Sequence, residues 1–108
     1  MEIKEEQVDG AAILVPVNRV DSATAKAFEA KVLQVVNSGA QRIVIDFAEL
    51  DYISSAGLRV VLVGAKMTRA PRKFALCGMK PHIHEIFAVS GFAKILAIHP
   101  DRAGALSC

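Results

Sequence analysis

The chain has 108 residues and a formal net charge of +2, from 13 basic and 11 acidic side chains. Hydrophobic residues make up 53% and charged residues 22%, which argues against disorder and indicates one domain over residues 1–108. The scattered, nearly balanced charge argues against nucleic-acid binding. No apolar run reaches the roughly 18 residues of a membrane span, and the charged start lacks a signal-peptide core, so we expect a cytoplasmic protein without a membrane partner.

The first half of the chain predicts a hairpin followed by a helix. Asp9-Gly10 favours a tight turn between two β-like stretches, of which residues 11–15 form the stronger strand. In residues 21–38 the apolar residues recur with the spacing of a helix. Asp21 or Ser22 is available as N-cap, and Gly39 as the C-terminal stop. The apolar face of this helix is expected to contain Ala25, Phe28, Val32, Val35 and Val36.

The second half alternates between strand and helix. We expect strands over residues 42–47, 72–78 and 95–98, helices over residues 57–69 and 81–89, and a short closing helix after Pro100. Such alternation implies parallel neighbouring strands joined by right-handed crossovers. The predicted fold class is therefore α/β, with a small mixed sheet, an N-terminal hairpin-like strand pair and flanking α-helices.

Two adjacent hydroxyls stand out within the segment DYISSAGLRVV, residues 51–61. Ser54 and Ser55 lie at or next to the predicted start of the second helix, where unpaired backbone N–H groups and the helix dipole tolerate a phosphate. A helix cap is compatible with such a phosphosite. A hydrolase is not favoured, because Ile53 stands where a Gly-x-Ser-x-Gly nucleophile elbow needs its first glycine.

Other reactive side chains lack a recognisable pattern. His82 and His84 are two positions apart, which on a helix turns them to different faces. Cys77 lies in an apolar run and is expected to be buried, and Cys108 is expected to be loose. We therefore predict no metal, no cofactor and no catalytic residue.

Several segments together resemble the bacterial anti-sigma-factor antagonists, the small members of the STAS domain group. These segments are Val20-Asp21, Ile43-Val44-Ile45-Asp46-Phe47, Tyr52-Ile53-Ser54-Ser55-Ala56-Gly57-Leu58 and Val89-Ser90-Gly91-Phe92. The resemblance covers nearly the whole chain, and Ser-Ser-Ala-Gly-Leu after a buried strand is its most specific part.

The resemblance implies a partner switch. The unphosphorylated protein would bind and sequester an anti-sigma factor serine kinase, phosphorylation at Ser55 would release it, and a serine phosphatase would reverse the modification. Ser54 is a second candidate, because several family members carry aspartate at that position. Arg59 replaces a glycine that is common in the sporulation branch, so no branch is assigned. The implied partner-binding residues are Asp21, Ser22, Thr24, Ser54, Ser55, Ala56, Gly57 and Arg59.

Two other kinds of function remain open at this point. The same domain could be a non-catalytic scaffold subunit of a signalling assembly, or a STAS module that binds a nucleotide or small anion at the helix starts. An intrinsic enzyme ranks last, because the chain has no assembled acid, base and nucleophile.

Overall fold

The computed structural model describes residues 1–107 and contains a main sheet, a smaller sheet and flanking helices. The strands are β1 (Ile3–Val8), β2 (Ala11–Pro16), β3 (Asn18–Val20), β4 (Arg42–Asp46), β5 (Leu50–Ile53), β6 (Lys73–Cys77) and β7 (Ala97–His99). The helices are α1 (Ala25–Val36), α2 (Ser55–Met67), α3 (Pro81–Val89) and α4 (Arg102–Ser107), with a 3₁₀ turn at Phe92–Lys94.

The main sheet has five strands in the order β1-β2-β4-β6-β7. β1 is antiparallel to β2, and all the other neighbours are parallel. β3 and β5 form a separate parallel pair. The predicted mixed sheet with an N-terminal hairpin and flanking helices is therefore confirmed.

The hairpin turn follows from its two residues. Asp9 and Gly10 both have positive φ, at 46° and 82°, which is the backbone that a two-residue type I′ turn requires. Asparagine, aspartate and glycine tolerate this region best. The turn pairs Val8 with Ala11 and so sets the register along β1 and β2.

The core lies on both faces of the main sheet. On one face, α1, α2 and α3 cover the larger cluster, in which Phe28, Phe47 and Phe87 are fully buried. On the other face, Ala105 of α4 packs against a smaller cluster that includes Val44 and Cys77. Because both faces of the sheet are covered, β2 is apolar throughout and β4 is apolar between its terminal residues Arg42 and Asp46.

The helix predictions are largely confirmed. The buried residues of α1 are the five predicted ones, and α3 begins at Pro81 and ends at Val89 as expected. A cap prediction for α1 is wrong: the helix begins at Ala25 with Thr24 as N-cap, because Asp21 and Ser22 belong to a preceding turn.

The strand predictions were less complete. The final strand was predicted at residues 95–98 but lies at Ala97–His99, because the 3₁₀ turn continues into Ile95, whose side chain is 66% exposed. β3 and β5 were not predicted at all. Cys77 is buried as expected, and Cys108 lies outside the described residues.

The side chain of Arg102 links the hairpin strand β1 to the face of the sheet that α4 covers. Asp46 is a buried carboxylate that accepts hydrogen bonds from the Ala48 N–H at 2.9 Å and from Arg102 Nε at 2.6 Å. Arg102 Nη2 also lies 2.8 Å from Glu6 Oε2. Arg102 therefore connects β1, β4 and α4. None of the helices formed by residues 1–107 has the length and apolarity to cross a membrane.

Candidate functional site

The small β3–β5 sheet brings two helix starts to one edge. Its parallel register pairs Val20 with Ile53, and both residues are buried. Asp21 directly follows β3 and Ser54 directly follows β5. Because the two strands are parallel, both polar residues lie at the same end of the small sheet. The Ser54 N–H donates to the Val20 carbonyl at 2.8 Å, which joins the two connections.

The two serines occupy different positions at the start of α2. Ser54 is the N-cap, and its Oγ accepts a hydrogen bond from the Gly57 N–H at 3.3 Å. Ser55 is the first helical residue and is exposed, and its hydroxyl has no hydrogen-bond partner among residues 1–107. The free hydroxyl at this helix start is therefore that of Ser55.

The backbone around Ser55 is suited to a negative charge. The first intrahelical bond of α2 runs from the Leu58 N–H to the Ser54 carbonyl at 3.0 Å. The N–H groups of Ser55 and Ala56 precede it and belong to the unpaired donors of a helix N-terminus. Since the helix dipole adds positive potential at this end, an anion on Ser55 meets a favourable field.

Gly57 sets how closely α2 approaches the small sheet. A Cβ atom at this position would lie 2.7 Å from Ile53 Cγ1 and 2.8 Å from Val20 Cγ1. Only glycine permits this approach without displacement of the two buried side chains. The start of α2, and with it Ser55, is thus held by the ends of β3 and β5.

Asp21 organises the second helix start. Its Oδ1 accepts hydrogen bonds from the N–H groups of Ala23 and Thr24, each at 3.0 Å, and Oδ2 accepts one from Arg19 Nε at 2.8 Å. Partial desolvation raises the pKa of Asp21, but the bonds from Thr24, Ala23 and Arg19 outweigh it and hold the pKa below its ordinary value. Asp21 is therefore a charged turn residue at neutral pH.

The remaining predicted partner-binding residues also lie at this edge or on the exposed side of α2. Ser22 is exposed, and the Thr24 hydroxyl donates to the Asp21 carboxylate at 3.1 Å. Arg59 is exposed one helical turn after Ser55. We call the eight residues Asp21, Ser22, Thr24, Ser54, Ser55, Ala56, Gly57 and Arg59 the switch edge.

Four side chains near the small sheet were not among the predicted partner-binding residues. The Arg19 guanidinium lies 5.0 Å from the centre of the Tyr52 ring, within cation–π distance. Lys80 pairs with Asp51, which lowers the pKa of that carboxyl. The Arg19–Tyr52 contact follows from the β3–β5 pairing, so only recognition of those short strands could have indicated it.

The histidines do not form a metal site. His82 Nε2 lies 2.6 Å from the Asp51 carbonyl oxygen, and His84 is exposed. The structure groups no three His, Cys, Asp or Glu side chains of residues 1–107 in a way that could hold a metal ion. His82 instead borders an apolar groove of about 430 Å³ on α3, which contains the 81%-exposed side chain of Val89.

Comparison with known proteins decides the family. The family model described as the STAS domain matches residues 2–105. The chain belongs to the STAS domain family. BtrV of Bordetella bronchiseptica, whose name places it among the anti-sigma factor antagonists, is 42% identical over 106 residues, which cover 97% of this chain and 91% of BtrV. The predicted similarity to that group is thereby confirmed.

Solved structures share the STAS fold of this chain. An anti-sigma factor antagonist from Mycobacterium paratuberculosis superposes with a TM-score of 0.93 at 22% identity, covering 98% of this chain and 91% of that one. SpoIIAA in its unphosphorylated form gives a TM-score of 0.79 at 19% identity, covering 95% and 92%. SpoIIAA of Bacillus in its phosphorylated form gives 0.72 at 19% identity, covering 95% and 96%. At these identities the likeness concerns the fold of the STAS domain.

Proposed function

We propose that this STAS domain is an anti-sigma-factor antagonist that works as a phosphorylation-controlled partner switch. The unphosphorylated form binds and sequesters an anti-sigma factor serine kinase through the switch edge, and phosphorylation of Ser55 releases the kinase. A serine phosphatase returns the protein to its binding form. The observation that carries the proposal is the exposed, unpartnered hydroxyl of Ser55 at the first position of α2.

The position of Ser55 supports a switch that acts on binding and leaves the fold intact. A phosphate adds about −1.5 to −2 charges at neutral pH, and the free N–H groups and dipole of α2 stabilise that charge. SpoIIAA, which shares this fold, has been solved both with and without phosphorylation. The modified domain is therefore expected to remain folded.

The cost of the phosphate appears when a partner covers the switch edge. A hydrated dianion must then lose water or face like charge, which costs several kcal/mol. A penalty of about 4 kcal/mol weakens a complex by roughly a thousandfold. A single modification at an exposed residue is thus sufficient to release the kinase.

Ser54 is the less suitable acceptor for structural reasons. Its Oγ already accepts the Gly57 N–H, and the side chain is only partly exposed. A phosphate on Ser54 would replace this cap and crowd the junction with β3, where the Ser54 N–H binds the Val20 carbonyl. Ser55 carries no such constraint.

The first test is phosphate mapping. The wild type, Ser54→Ala and Ser55→Ala are incubated with ATP and soluble extract of the source cell, and intact mass and peptide mapping follow. We expect one added phosphate in the wild type and in Ser54→Ala, and none in Ser55→Ala. Phosphate retained in Ser55→Ala, or absent from all three proteins, contradicts the proposal.

Binding supplies the second test, once a kinase has been captured with the unmodified protein. Ser55→Ala should bind it constitutively and Ser55→Asp should bind it weakly, because only the latter places a negative charge on the switch edge. Calorimetry measures both affinities. Equal affinity of the kinase for the two variants would contradict the proposal.

A further inference from the structure

The exposed face of α2 carries a cation one turn after Ser55. Arg59 is exposed and makes no hydrogen bond or ion pair with any other residue in the described chain. Arg19 and Arg72, by contrast, are engaged: Arg19 pairs with Asp21, and Arg72 donates to the Val36 and Ala40 carbonyls. Arg59 is thus a charge that the fold leaves uncompensated.

Helix geometry brings Arg59 to Ser55 and away from Ser54. Residues four apart lie on one face with Cβ atoms about 5–6 Å apart, whereas residues five apart point about 140° away from each other. The burial pattern agrees, because Ser55 and Arg59 are exposed while the buried residues of α2 are Gly57, Leu58, Val60, Val61 and Gly64. A long guanidinium at position 59 therefore reaches a group on Ser55.

No carboxylate of residues 1–107 forms an ion pair with Arg59. The first two turns of α2, with the sequence SAGLRVVL, contain no acidic residue. The nearby Asp21 is held by Arg19 and two backbone N–H groups, and Asp51 is held by Lys80. An anion added at Ser55 is the group that completes an ion pair with Arg59.

We propose that Arg59 is the intramolecular counterion of the Ser55 phosphate. The guanidinium and the free N–H groups of Ser55 and Ala56 hold the phosphate from two sides, with charge-assisted hydrogen bonds from Arg59. This inference rests on the proposed function, since it concerns the same modified residue. Phosphorylation then has two effects at once: it adds negative charge to the switch edge, and it withdraws Arg59 from the partner.

The test installs phosphoserine at position 55 by translational incorporation, so that no kinase is required. The ³¹P chemical shift is titrated in this protein and in the same protein carrying Arg59→Gln or Lys66→Gln. Lys66 is a matched control, because it is an exposed cation on the same helix. It lies about 16 Å along the helix axis from Ser55, which is beyond the screening length of about 10 Å at 0.1 M salt.

A cation about 5 Å away should lower the second pKa of the phosphate by roughly half a unit. Arg59→Gln should therefore raise that pKa by this amount, Lys66→Gln should leave it unchanged, and 1 M NaCl should reduce the difference. Phosphoserine at position 54 should show no dependence on Arg59. The same titration curve in Arg59→Gln and in its parent would overturn the inference.

Failure of this inference and failure of the proposed function give different results. If Arg59→Gln leaves the titration unchanged while cell extract still phosphorylates Ser55, only the counterion role is wrong. If no extract phosphorylates Ser55 but the titration depends on Arg59, the pairing exists and the switch does not.

Discussion

The two adjacent serines at the start of α2 differ in what their hydroxyl oxygens contact. Ser54 Oγ accepts a backbone hydrogen bond, and Ser55 Oγ faces solvent. The location of both could be predicted, because a buried strand, a serine pair and a helical repeat all lie within about twenty residues of sequence. Which serine caps the helix and which keeps a free hydroxyl could not be predicted, since this depends on the start of α2 to within one residue.

Replacement of the two serines should separate stability from modification. Ser54→Ala removes the N-cap and should destabilise the domain by about 1 kcal/mol, whereas Ser55→Ala should change stability by less than about 0.5 kcal/mol. Urea denaturation measures both. A Ser55→Ala variant that is less stable than Ser54→Ala would show that the caps have been assigned to the wrong residue.

Cys77 should be inert while the protein is folded. Burial raises the pKa of its thiol to about 12, and the neighbouring Asp46 charge adds to this effect. In a Cys108→Ser background, native protein at pH 8 should therefore not react with a thiol reagent such as iodoacetamide, and denatured protein should react fully. Mass spectrometry gives the extent of labelling, and rapid native labelling would contradict the buried placement of Cys77.

At the scale of elements, close packing of α1 against α2 depends on a glycine. A Cβ atom at Gly64 would lie 2.7 Å from Val32 Cγ1 and 3.0 Å from Phe74 Cε2. The buried face of α1, which includes Val32, could be predicted from its period, but the sequence of α2 does not indicate what Gly64 contacts. The residue that a glycine faces depends on how its helix packs against distant parts of the chain, and the sequence of one helix does not contain that information.

The effect of Gly64→Ala on stability should change sign when Val32 is replaced by alanine. In the wild type, overpacking against Val32 should outweigh the gain in helix propensity and destabilise the domain by about 1 kcal/mol. In a Val32→Ala background the obstructing methyl groups are gone, and the Phe74 ring can shift the few tenths of an ångström it needs into the space they leave. Gly64→Ala should then stabilise by up to about 1 kcal/mol. Urea midpoints of the four proteins test this, and the same sign in both backgrounds would refute the packing argument.

β3 and β5 escaped prediction because they are short and lack an alternating pattern. β3 has three residues, and of the four in β5 only Leu50 and Ile53 are buried. Their pairing joins segments about thirty residues apart, and each gains its partner only when the other is in place. The switch edge depends on this pairing, so its residues could be named from sequence while their common location could not be derived from either segment alone.

At the scale of the whole molecule, Arg102 holds together parts that are distant in sequence. It binds Glu6 of β1 and Asp46 of β4, which are separated from it by most of the chain. Arg102→Met should leave the buried Asp46 carboxylate without its charged partner and destabilise the protein by about 2 kcal/mol at neutral pH. Thermal unfolding measures the loss.

A matched control for Arg102→Met is Lys4→Met, which removes an ion pair with Glu49 in which both side chains are nearly half exposed. Such surface pairs contribute little to stability because water and salt screen them. Lys4→Met should therefore have the smaller effect, and an equal loss in the two variants would mean that Asp46 does not depend on Arg102.

The stability of the whole domain should fall in acid. The pKa of Glu6 is lowered by Arg102, that of Asp51 by Lys80, and that of Asp21 by its hydrogen bonds, which outweigh desolvation. These carboxyls bind protons less tightly in the native state than in the unfolded chain. Their stabilisation is therefore complete above the ordinary carboxyl pKa of about 4 and is lost as the pH falls through the lower native values.

Melting temperatures between pH 7 and pH 2.5 test this dependence. A triple variant with Glu6→Gln, Asp21→Asn and Asp51→Asn should lose less stability on acidification than the wild type, because its neutral side chains cannot take up protons. A triple variant with an unchanged acid profile would contradict the assigned pKa directions.

The hairpin turn at Asp9-Gly10 has a consequence for experiments on the proposed switch. The turn lies where β2 begins, and the Gln41 N–H donates to the Gly10 carbonyl beside the start of β4. Ser55 instead follows β5, and β3 and β5 come after the carboxyl ends of β2 and β4 along the chain. A fluorophore or surface tether attached at the exposed hairpin tip would therefore stand at the amino ends of β2 and β4, whereas the switch edge follows β3 and β5. An immobilised or dye-labelled protein could then be used to test the proposed capture and release of a kinase while the switch edge stays unobstructed.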